Sequence, residues 1–145
     1  MVKAIPDGYT TVTPYLTVRD VAGYLTFLKN GLNAEELFRF PGQDGKIVHA
    51  EVQIGTARVM IGEPMDGSAP LPSQLYLYLE DVDAAFTRAV KAGAVADREP
   101  ADQFYGDRTA TVHDAGGNRW TLATHKEDVS GEEMRRRMSA LAGSP

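Results

Sequence analysis

His49 and Glu51 are the residues in this sequence whose types and spacing most directly suggest chemistry. They lie two positions apart in a run typical of a β-strand, IVHAEVQI, so their side chains share one face of the strand, and Gln53 continues that face. An imidazole beside a carboxylate can act as an acid–base pair or contribute to a metal site. A solvated or cup-lining polar face is the alternative, and we favour it because exposed strand faces commonly carry such residues.

Three tyrosines and two arginines offer binding chemistry elsewhere in the chain. The rings of Tyr15, Tyr76 and Tyr78 suit stacking on a planar ligand, and they equally suit filling a sheet face or a dimer interface. Arg58 and Arg119 suit holding a carboxylate or a phosphate, or else bridging two parts of the chain through salt bridges.

A further aromatic pair, Phe104 and Tyr105, lies in the segment DQFYGD, which we interpret as an insertion after a weak strand at about 94–98. Long loops that carry aromatic residues are often functional, and this pattern favours a glycine-hinged lid over a binding site. His113 and His125 lie near predicted strand ends and are interpreted as surface residues. Alternation along its strand places Trp120 on the same side as the aliphatic residues, so it is predicted to be buried.

The elements that must position these residues are two copies of one unit. TVTPYLTVRDVAGYLTFLKNG and, about sixty residues later, SQLYLYLEDVDAAFTRAVKAG both pass from a strand-like alternation into a helical segment. Asp20 and Asp81 are predicted to cap the two helices at their N-termini, and Gly31 is predicted to be the C-cap of the first. Three strand-like runs follow each helix, so the sequence predicts βαβββ twice.

The predicted fold class is α+β, with two four-stranded mixed sheets, each covered by a helix on its outer face and together forming a cup. We expect a single domain over residues 1–145, because this length suffices for one sizeable core. Its predicted parts are a first module at about 10–63, a linker at 64–72, a second module at about 73–125 and a C-terminal helix at 130–142. Ser130 and Glu133 form a capping box before that last helix.

Alternation along the strands assigns their two faces. The side chains predicted to pack beneath the helices are aliphatic: Leu16, Val59, Ile61, Leu75, Leu77 and Leu79, with Val12, Pro14 and Val18 on the same side. The side chains predicted to line the cup are aromatic and polar: Thr13, Tyr15, Thr17, Arg58, Met60, Gly62, Gln74, Tyr76, Tyr78, Arg119, Thr121 and Ala123. A concave wall of this kind is typical of a small-molecule site.

Composition excludes several classes of function. The chain has 145 residues, no cysteine and a net charge of −5. Without cysteine there is no disulfide framework and no thiolate metal site, which fits a cytoplasmic protein. The acidic balance disfavours nucleic acid as a partner, and we expect no membrane partner because no apolar run is long enough to span a bilayer.

The junctions YLTVRDV and YLYLEDV and the DAGGNRW turn resemble the glyoxalase/bleomycin-resistance/dioxygenase superfamily, also called vicinal oxygen chelate proteins. The strings IPDGYTTVTPYL, HAEV, DQFYGDRTATVHD and THKEDVS resemble its PhnB-like branch, and the resemblance covers about Ile5 to Glu133. It implies a ligand-holding cup, often completed by a second subunit, in enzymes that use a divalent metal or a thiol, in ring-cleaving dioxygenases or in non-catalytic drug-binding proteins.

The resemblance also implies four metal-ligand positions, which in this chain carry Thr13, Met60, Gln74 and Thr121. Catalytic divalent sites use about three imidazole or carboxylate ligands, and only the amide of Gln74 approaches that chemistry. We therefore expect no cofactor, with a divalent metal disfavoured, and a homodimer that binds an aromatic or planar small molecule. The alternative is a metal-dependent lyase, isomerase or dioxygenase with a displaced site at His49 and Glu51.

Overall fold

The computed structural model describes residues 1–143, so that Ser144 and Pro145 of the predicted domain lie outside it. The described elements, in chain order, are β1 (Tyr15–Thr17), α1 (Val21–Leu32), β2 (Glu35–Pro41), β3 (Ile47–Ile54), β4 (Ala57–Gly62), β5 (Gln74–Tyr78), α2 (Val82–Lys91), β6 (Val95–Asp102), β7 (Asp107–His113), β8 (Arg119–His125) and α3 (Gly131–Ala142).

The strands form two four-stranded sheets, with the orders β1-β4-β3-β2 and β5-β8-β7-β6. In each sheet the first strand pairs in parallel with the last, and the other pairs are antiparallel. The prediction of an α+β fold with two βαβββ modules, mixed four-stranded sheets and a short C-terminal helix is therefore confirmed.

Both main helices begin where the sequence predicts. The carboxylate of Asp20 accepts the N–H of Gly23 at 3.0 Å, and the carboxylate of Asp81 accepts the N–H of Ala84 at 3.1 Å. Each cap satisfies one of the backbone N–H groups that a helix leaves without an internal partner.

The predicted end of α1 at Gly31 is wrong by two residues. The helix continues to Leu32, and Asn33 is the C-cap, with a left-handed φ of 58°. Gly31 is instead buried at the contact between the helices, where an added Cβ would lie 3.1 Å from Cβ of Ala92. Its lack of a side chain therefore permits close packing rather than a left-handed turn.

One hydrophobic core is shared by the two modules, because α1 and α2 pack against each other as well as against their own sheets. Most of the predicted helix-facing residues belong to this core: Leu16, Val18, Val59 and Ile61 are buried, and Leu75, Leu77 and Leu79 pack against it. Trp120 is fully buried, as predicted.

A buried network of polar side chains joins α1 of the first module to the β7–β8 turn of the second. The hydroxyl of Tyr24 on α1 donates to the carboxylate of Asp114 at 2.6 Å, and the indole N–H of Trp120 donates to the same oxygen at 2.8 Å. The side-chain amide of Asn118 donates to the Tyr24 hydroxyl at 3.1 Å. Burial and the negative charge of Asp114 raise the pKa of Tyr24, which keeps the phenol protonated as the donor.

Two strands differ in extent from the prediction. β1 is short, and Val12, assigned to its covered face, is instead exposed in the segment before it, because the chain joins β4 only from Pro14 onward. β6 reaches Asp102 rather than ending near Arg98, because it pairs with β7 through two irregularities that break the simple alternation.

The C-terminal helix α3 has no buried residue and is attached through Arg137. That guanidinium binds Glu127 at 2.6 Å and the backbone oxygen of Phe104 at 3.1 Å. Ser130 caps the helix by accepting the N–H of Glu133 at 3.1 Å. Within residues 1–143, no helix has the length and apolar character needed to cross a membrane.

Candidate functional site

The open face of the first sheet, opposite α1, carries three aromatic residues around the His49–Glu51 pair. Tyr15 on β1 lies opposite Met60, and Phe38 and Phe40 on β2 lie opposite Glu51 and His49, so all of these side chains share one face. The ring centroids of Tyr15 and Phe38 are 5.8 and 6.1 Å from that of His49. This face therefore offers flat apolar surface beside titratable groups.

The two titratable residues of this face are in direct contact. Nε2 of His49 lies 3.0 Å from Oε2 of Glu51, and Glu51 is buried while His49 is partly exposed. Burial raises the pKa of the Glu51 carboxyl, and the positive charge of Arg58 only partly opposes this. A carboxyl group with a raised pKa beside an imidazole is suited to proton transfer.

Arg58 and Gly62 serve the packing of this face. The guanidinium of Arg58 donates to Gln53 at 3.0 Å and lies 5.1 Å from the ring centroid of Tyr9 in the N-terminal arm. Gly62 lies beneath the ring of Tyr15, because an added Cβ would meet the phenol oxygen well inside contact distance. Gly62, predicted to line the cup, is thus buried under Tyr15.

The open face of the second sheet, opposite α2, is organised around Asp107, which sequence reasoning missed. This carboxylate is 4% exposed and accepts the hydroxyls of Tyr76 at 2.6 Å and Tyr78 at 3.0 Å through one oxygen. Its other oxygen accepts Nδ1–H of His125 at 2.8 Å. The ring centroids of Tyr76 and Tyr78 are 5.2 Å apart at an angle of 51°.

The electrostatics of this cluster favour a charged Asp107 and a protonated His125. Burial raises the pKa of Asp107, but the hydrogen bonds from Tyr76, His125 and Tyr78 outweigh it, so the pKa lies below its usual value. Hydrogen bonds to Asp107 and to Asp128, whose oxygen is 2.7 Å from Nε2, raise the pKa of His125. The pKa of Tyr78 is raised mainly by its hydrogen bond to Asp107.

His125 is at the surface, as predicted, but it is also part of this cluster. Asp107 lies directly opposite His125 because the β7–β8 turn fixes the register of the two strands. The turn was recognisable in the sequence, and counting outward from it would have identified the pair. His113 is a surface residue whose Nδ1 lies 2.8 Å from Asp97.

The segment that contains Phe104 and Tyr105 is a short turn, which corrects the interpretation of an insertion with a hinged lid. The N–H of Gln103 donates to the oxygen of Asp107 at 2.8 Å, so the turn simply connects β6 to β7. The N–H groups of Lys126 and Glu127 donate to the oxygen of Gly106 and fix it further. The hydroxyl of Tyr105 nevertheless lies 3.5 Å from that of Tyr76, at the edge of the open face of the second sheet.

The two arginines do not form a bridge between the modules. Arg58 binds partners in the first module, and Nε of Arg119 lies 3.9 Å from Asp97 in the second. Of the other predicted cup residues, Gln74 lies opposite Arg119, and Thr121 lies opposite Tyr76. Ala123 lies opposite Tyr78 in the register of the second sheet and is fully buried.

The four positions at which the resemblance implies metal ligands do not suit a divalent cation. They supply the hydroxyls of Thr13 and Thr121, the thioether of Met60 and the amide of Gln74. Among the described residues, no group of three or more His, Asp or Glu side chains is arranged to hold a metal ion. Divalent cations at catalytic sites are held by carboxylate or imidazole ligands, which these four positions do not supply.

Three clefts adjoin these elements, and one of about 390 Å³ is lined by Tyr15 and Thr17 of β1 together with residues after β4 such as Met65. A second, of about 380 Å³, lies between β5 and the β3–β4 turn, and Tyr76 and Tyr78 form part of its wall with Gly55 and Thr56. The third, of about 620 Å³, lies between the start of α1 and the end of α2. Of the three, the cleft of about 380 Å³ is the one that both Tyr76 and Tyr78 line, which makes it the candidate ligand site.

Comparisons with known proteins place the chain in a family. A sequence model described as the glyoxalase/bleomycin resistance protein/dioxygenase superfamily matches residues 8–122. An uncharacterised protein of Mycobacterium bovis is 34% identical over 140 residues, which cover 89% of this chain and 92% of that protein. An uncharacterised protein of Mycobacterium tuberculosis is also 34% identical, covering 89% of this chain and 82% of its own length.

Solved structures show the same fold. The crystal structure of TioX from Micromonospora sp. ML1 superposes with a TM-score of 0.69 at 28% identity and covers 80% of this chain and 98% of its own. A glyoxalase-related enzyme from Fulvimarina pelagi superposes with a TM-score of 0.65 at 18% identity, covering 79% of this chain and 87% of its own.

Proposed function

The chain belongs to the glyoxalase/bleomycin resistance protein/dioxygenase superfamily, and we propose that within it the protein binds an aromatic or planar small molecule without a metal. The observation that carries this proposal is the set of exposed rings on the two open faces. The exposed fractions of Tyr15, Phe38 and Phe40 are 49%, 46% and 61%, and those of Tyr76 and Tyr78 are 44% and 65%. Rigid aromatic rings with a few fixed polar groups suit a planar ligand, such as a drug or secondary metabolite.

The open faces support a homodimer as the form that binds this ligand. Within the chain the modules meet through α1 and α2, which leaves rings on both open faces accessible to solvent. A second copy that placed its open face against the first would bury these rings and enclose the ligand. Patches of exposed aromatic residues commonly mark interfaces or ligand grooves.

Finer features of the proposal follow from the sequence. The strings that resemble the PhnB-like branch support membership of that branch, and a role in antibiotic resistance is one use of a protein that sequesters a planar drug. The acidic, cysteine-free composition supports a cytoplasmic protein without nucleic-acid or membrane partners.

The experiment that tests this function is native mass spectrometry of the purified protein, together with metal analysis. We expect a dimer that retains or accepts planar compounds and contains far less than one divalent ion per chain. A protein that bound no planar compound, or that converted a substrate only with a stoichiometric divalent ion, would contradict the proposal.

A second candidate function is an enzyme that uses His49 and Glu51, and their contact favours it. The raised pKa of the buried Glu51 and its 3.0 Å approach to His49 suit a proton shuttle in a lyase, isomerase or dioxygenase of this superfamily. Replacing both residues by alanine, with Glu51→Gln as a milder variant, should then abolish turnover. Unchanged turnover and metal content in the double variant would exclude this site.

A further inference from the structure

Tyr76 and Tyr78 form a pair of exposed aromatic walls whose hydroxyl groups both point to one buried carboxylate. Their ring centroids are 5.2 Å apart at 51°, so the rings form an open angle rather than a stack. Both hydroxyls donate to the same oxygen of Asp107, at 2.6 and 3.0 Å. The phenolic protons are therefore engaged, and the outward side of each tyrosine presents ring faces and oxygen lone pairs.

This arrangement makes the rings attractive to positive charge. The face of an aromatic ring is electron-rich and attracts cations. A phenol that donates to a carboxylate is polarised, which adds electron density to its ring and its oxygen. Because Asp107 is only 4% exposed, water screens its charge less than that of a surface carboxylate.

The charges around the tyrosines leave the cluster negative. A protonated His125 is balanced on both sides, by Asp107 at 2.8 Å and by Asp128 at 2.7 Å, so two carboxylates face one imidazolium. Arg119, a cation on the same face, lies opposite Gln74, and its Nε is 3.9 Å from Asp97. Its pair is one same-face position from the pair of Tyr76 with Thr121 and two from the pair of Tyr78 with Ala123.

A cleft runs along the edge strand β5, which carries the two rings, and several of its other lining residues, including Leu75, Leu77 and Trp120, belong to the helix-facing side of the sheet. Tyr76 and Tyr78 form part of the wall of the cleft of about 380 Å³, whose opposite side is the β3–β4 turn around Gly55 and Thr56. This volume is within the range of small-molecule sites.

We propose that the Tyr76–Tyr78 pair is a subsite selective for organic cations, in which a planar cationic group such as an amidinium, a guanidinium or a pyridinium lies against the two rings. The inference rests on the proposed function and adds the charge of the ligand to it. Asp107 holds the two rings in place and polarises them, and it does not need to contact the ligand.

Benzamidine, benzamide and benzoate test this proposal because they share one planar shape and differ in charge. We expect benzamidine to bind the wild-type protein at least about tenfold more tightly than benzamide, and benzoate to bind most weakly, as measured by calorimetric titration at pH 7. Adding salt should narrow the difference between benzamidine and benzamide.

Three variants test whether the preference for benzamidine over benzamide comes from the cluster of Tyr76, Tyr78 and Asp107. Asp107→Asn should reduce the preference for benzamidine to about twofold or less, and the double variant Tyr76→Phe and Tyr78→Phe, which keeps the rings, should reduce it in part. Asp97→Asn is the matched control, because it removes a carboxylate that belongs to the same sheet but contacts His113 and Arg119. It should leave the preference unchanged.

The possible failures separate this inference from the proposed function. Equal binding of benzamidine and benzamide, or a preference that survives both Asp107→Asn and the double tyrosine variant, would overturn the cation subsite and leave planar binding intact. Failure of all three compounds to bind the wild-type protein at any accessible concentration would contradict both proposals.

Discussion

Asp107 determines the arrangement of the open face of the second sheet. A carboxylate that is 4% exposed needs hydrogen-bond donors to remain charged, and Tyr76, Tyr78 and His125 supply three. Without it, two phenol groups and an imidazole would lose their common partner, and the rings would be free to take other rotamers.

Replacing Asp107 by asparagine should lower the pKa of His125 toward its ordinary value of about 6.5, because the charged acceptor at Nδ1 is lost. In the wild-type protein, the raised pKa of His125 means that the folded state binds the imidazole proton more tightly than the unfolded state does. Its stabilisation is complete below about pH 6.5 and is lost as the pH rises through the folded pKa. Proton NMR titration of His125 measures the pKa, and denaturation at several pH values measures the stability.

Asp7→Asn is the control for this titration, because that exposed carboxylate pairs with Lys3 in the N-terminal arm. It should leave the pKa of His125 unchanged. An equal pKa of His125 in the wild-type protein and the Asp107→Asn variant would contradict the arrangement described here.

Single residues were predictable where alternation along one strand decides their direction. Tyr15, Tyr76 and Tyr78 were assigned to the open faces from alternation alone, and they lie there. Asp107, Phe38 and Phe40 were missed because their roles depend on the register between neighbouring strands, which no single strand contains. The bulge between Glu36 and Phe38 shifts the alternation in β2.

Among the elements, α1 and α2 pack closely at Gly31, where an added side chain would be tightly placed. An added Cβ there would lie 3.1 Å from both Cβ of Ala92 and Cε1 of Phe27. Gly31→Ala should destabilise the protein by about 1–3 kcal/mol through overpacking. Helix propensity alone would predict a gain of about 1 kcal/mol, so the sign of the change decides between the two effects.

Chemical denaturation of Gly31→Ala, of Ala92→Gly and of the double variant measures this contact as a coupling energy. In the double variant, Ala92→Gly should recover part of the loss. Gly131→Ala in α3 is the matched control, because the nearest atom to its added Cβ is a guanidinium nitrogen at 3.6 Å, and it should be neutral or slightly stabilising. A stabilising Gly31→Ala would show that the helices do not approach as described.

Elements were predictable where helical spacing, a capping residue and a turn agreed. Asp20 and Asp81 mark both helix starts, and three strands follow each helix as predicted. The end of α1 was misplaced because a glycine that permits close packing and a glycine that ends a helix look alike in sequence. β6 was cut short because its polar, proline-containing second half lies on an exposed edge strand.

At the scale of the whole molecule, the Tyr24 network links α1 of the first module to the β7–β8 turn of the second. Tyr24→Phe removes the donor to Asp114 and the acceptor for Asn118, which are both buried. We expect a loss of about 1–3 kcal/mol in the free energy of unfolding, because buried polar groups are left unpaired.

Urea denaturation measures this loss as a lower midpoint concentration of urea, provided that the dependence of the unfolding free energy on urea keeps the same slope. Tyr9→Phe is the control, because Tyr9 is partly buried beneath Arg58 and its ring is retained in the variant. A loss in Tyr24→Phe no larger than that in Tyr9→Phe would contradict a role for the network in joining the modules.

We propose that aromatic open faces, and not a metal, hold the ligand. The most direct test of this proposal is a binding titration of a planar aromatic compound to protein treated with a chelator, for the wild type and for a variant with Tyr15, Tyr76 and Tyr78 replaced by alanine. We expect the chelated wild type to bind as tightly as untreated protein and the folded triple variant to bind at least about tenfold more weakly. Binding that disappeared with the chelator and returned with a divalent ion, or that survived loss of all three rings, would contradict the proposal.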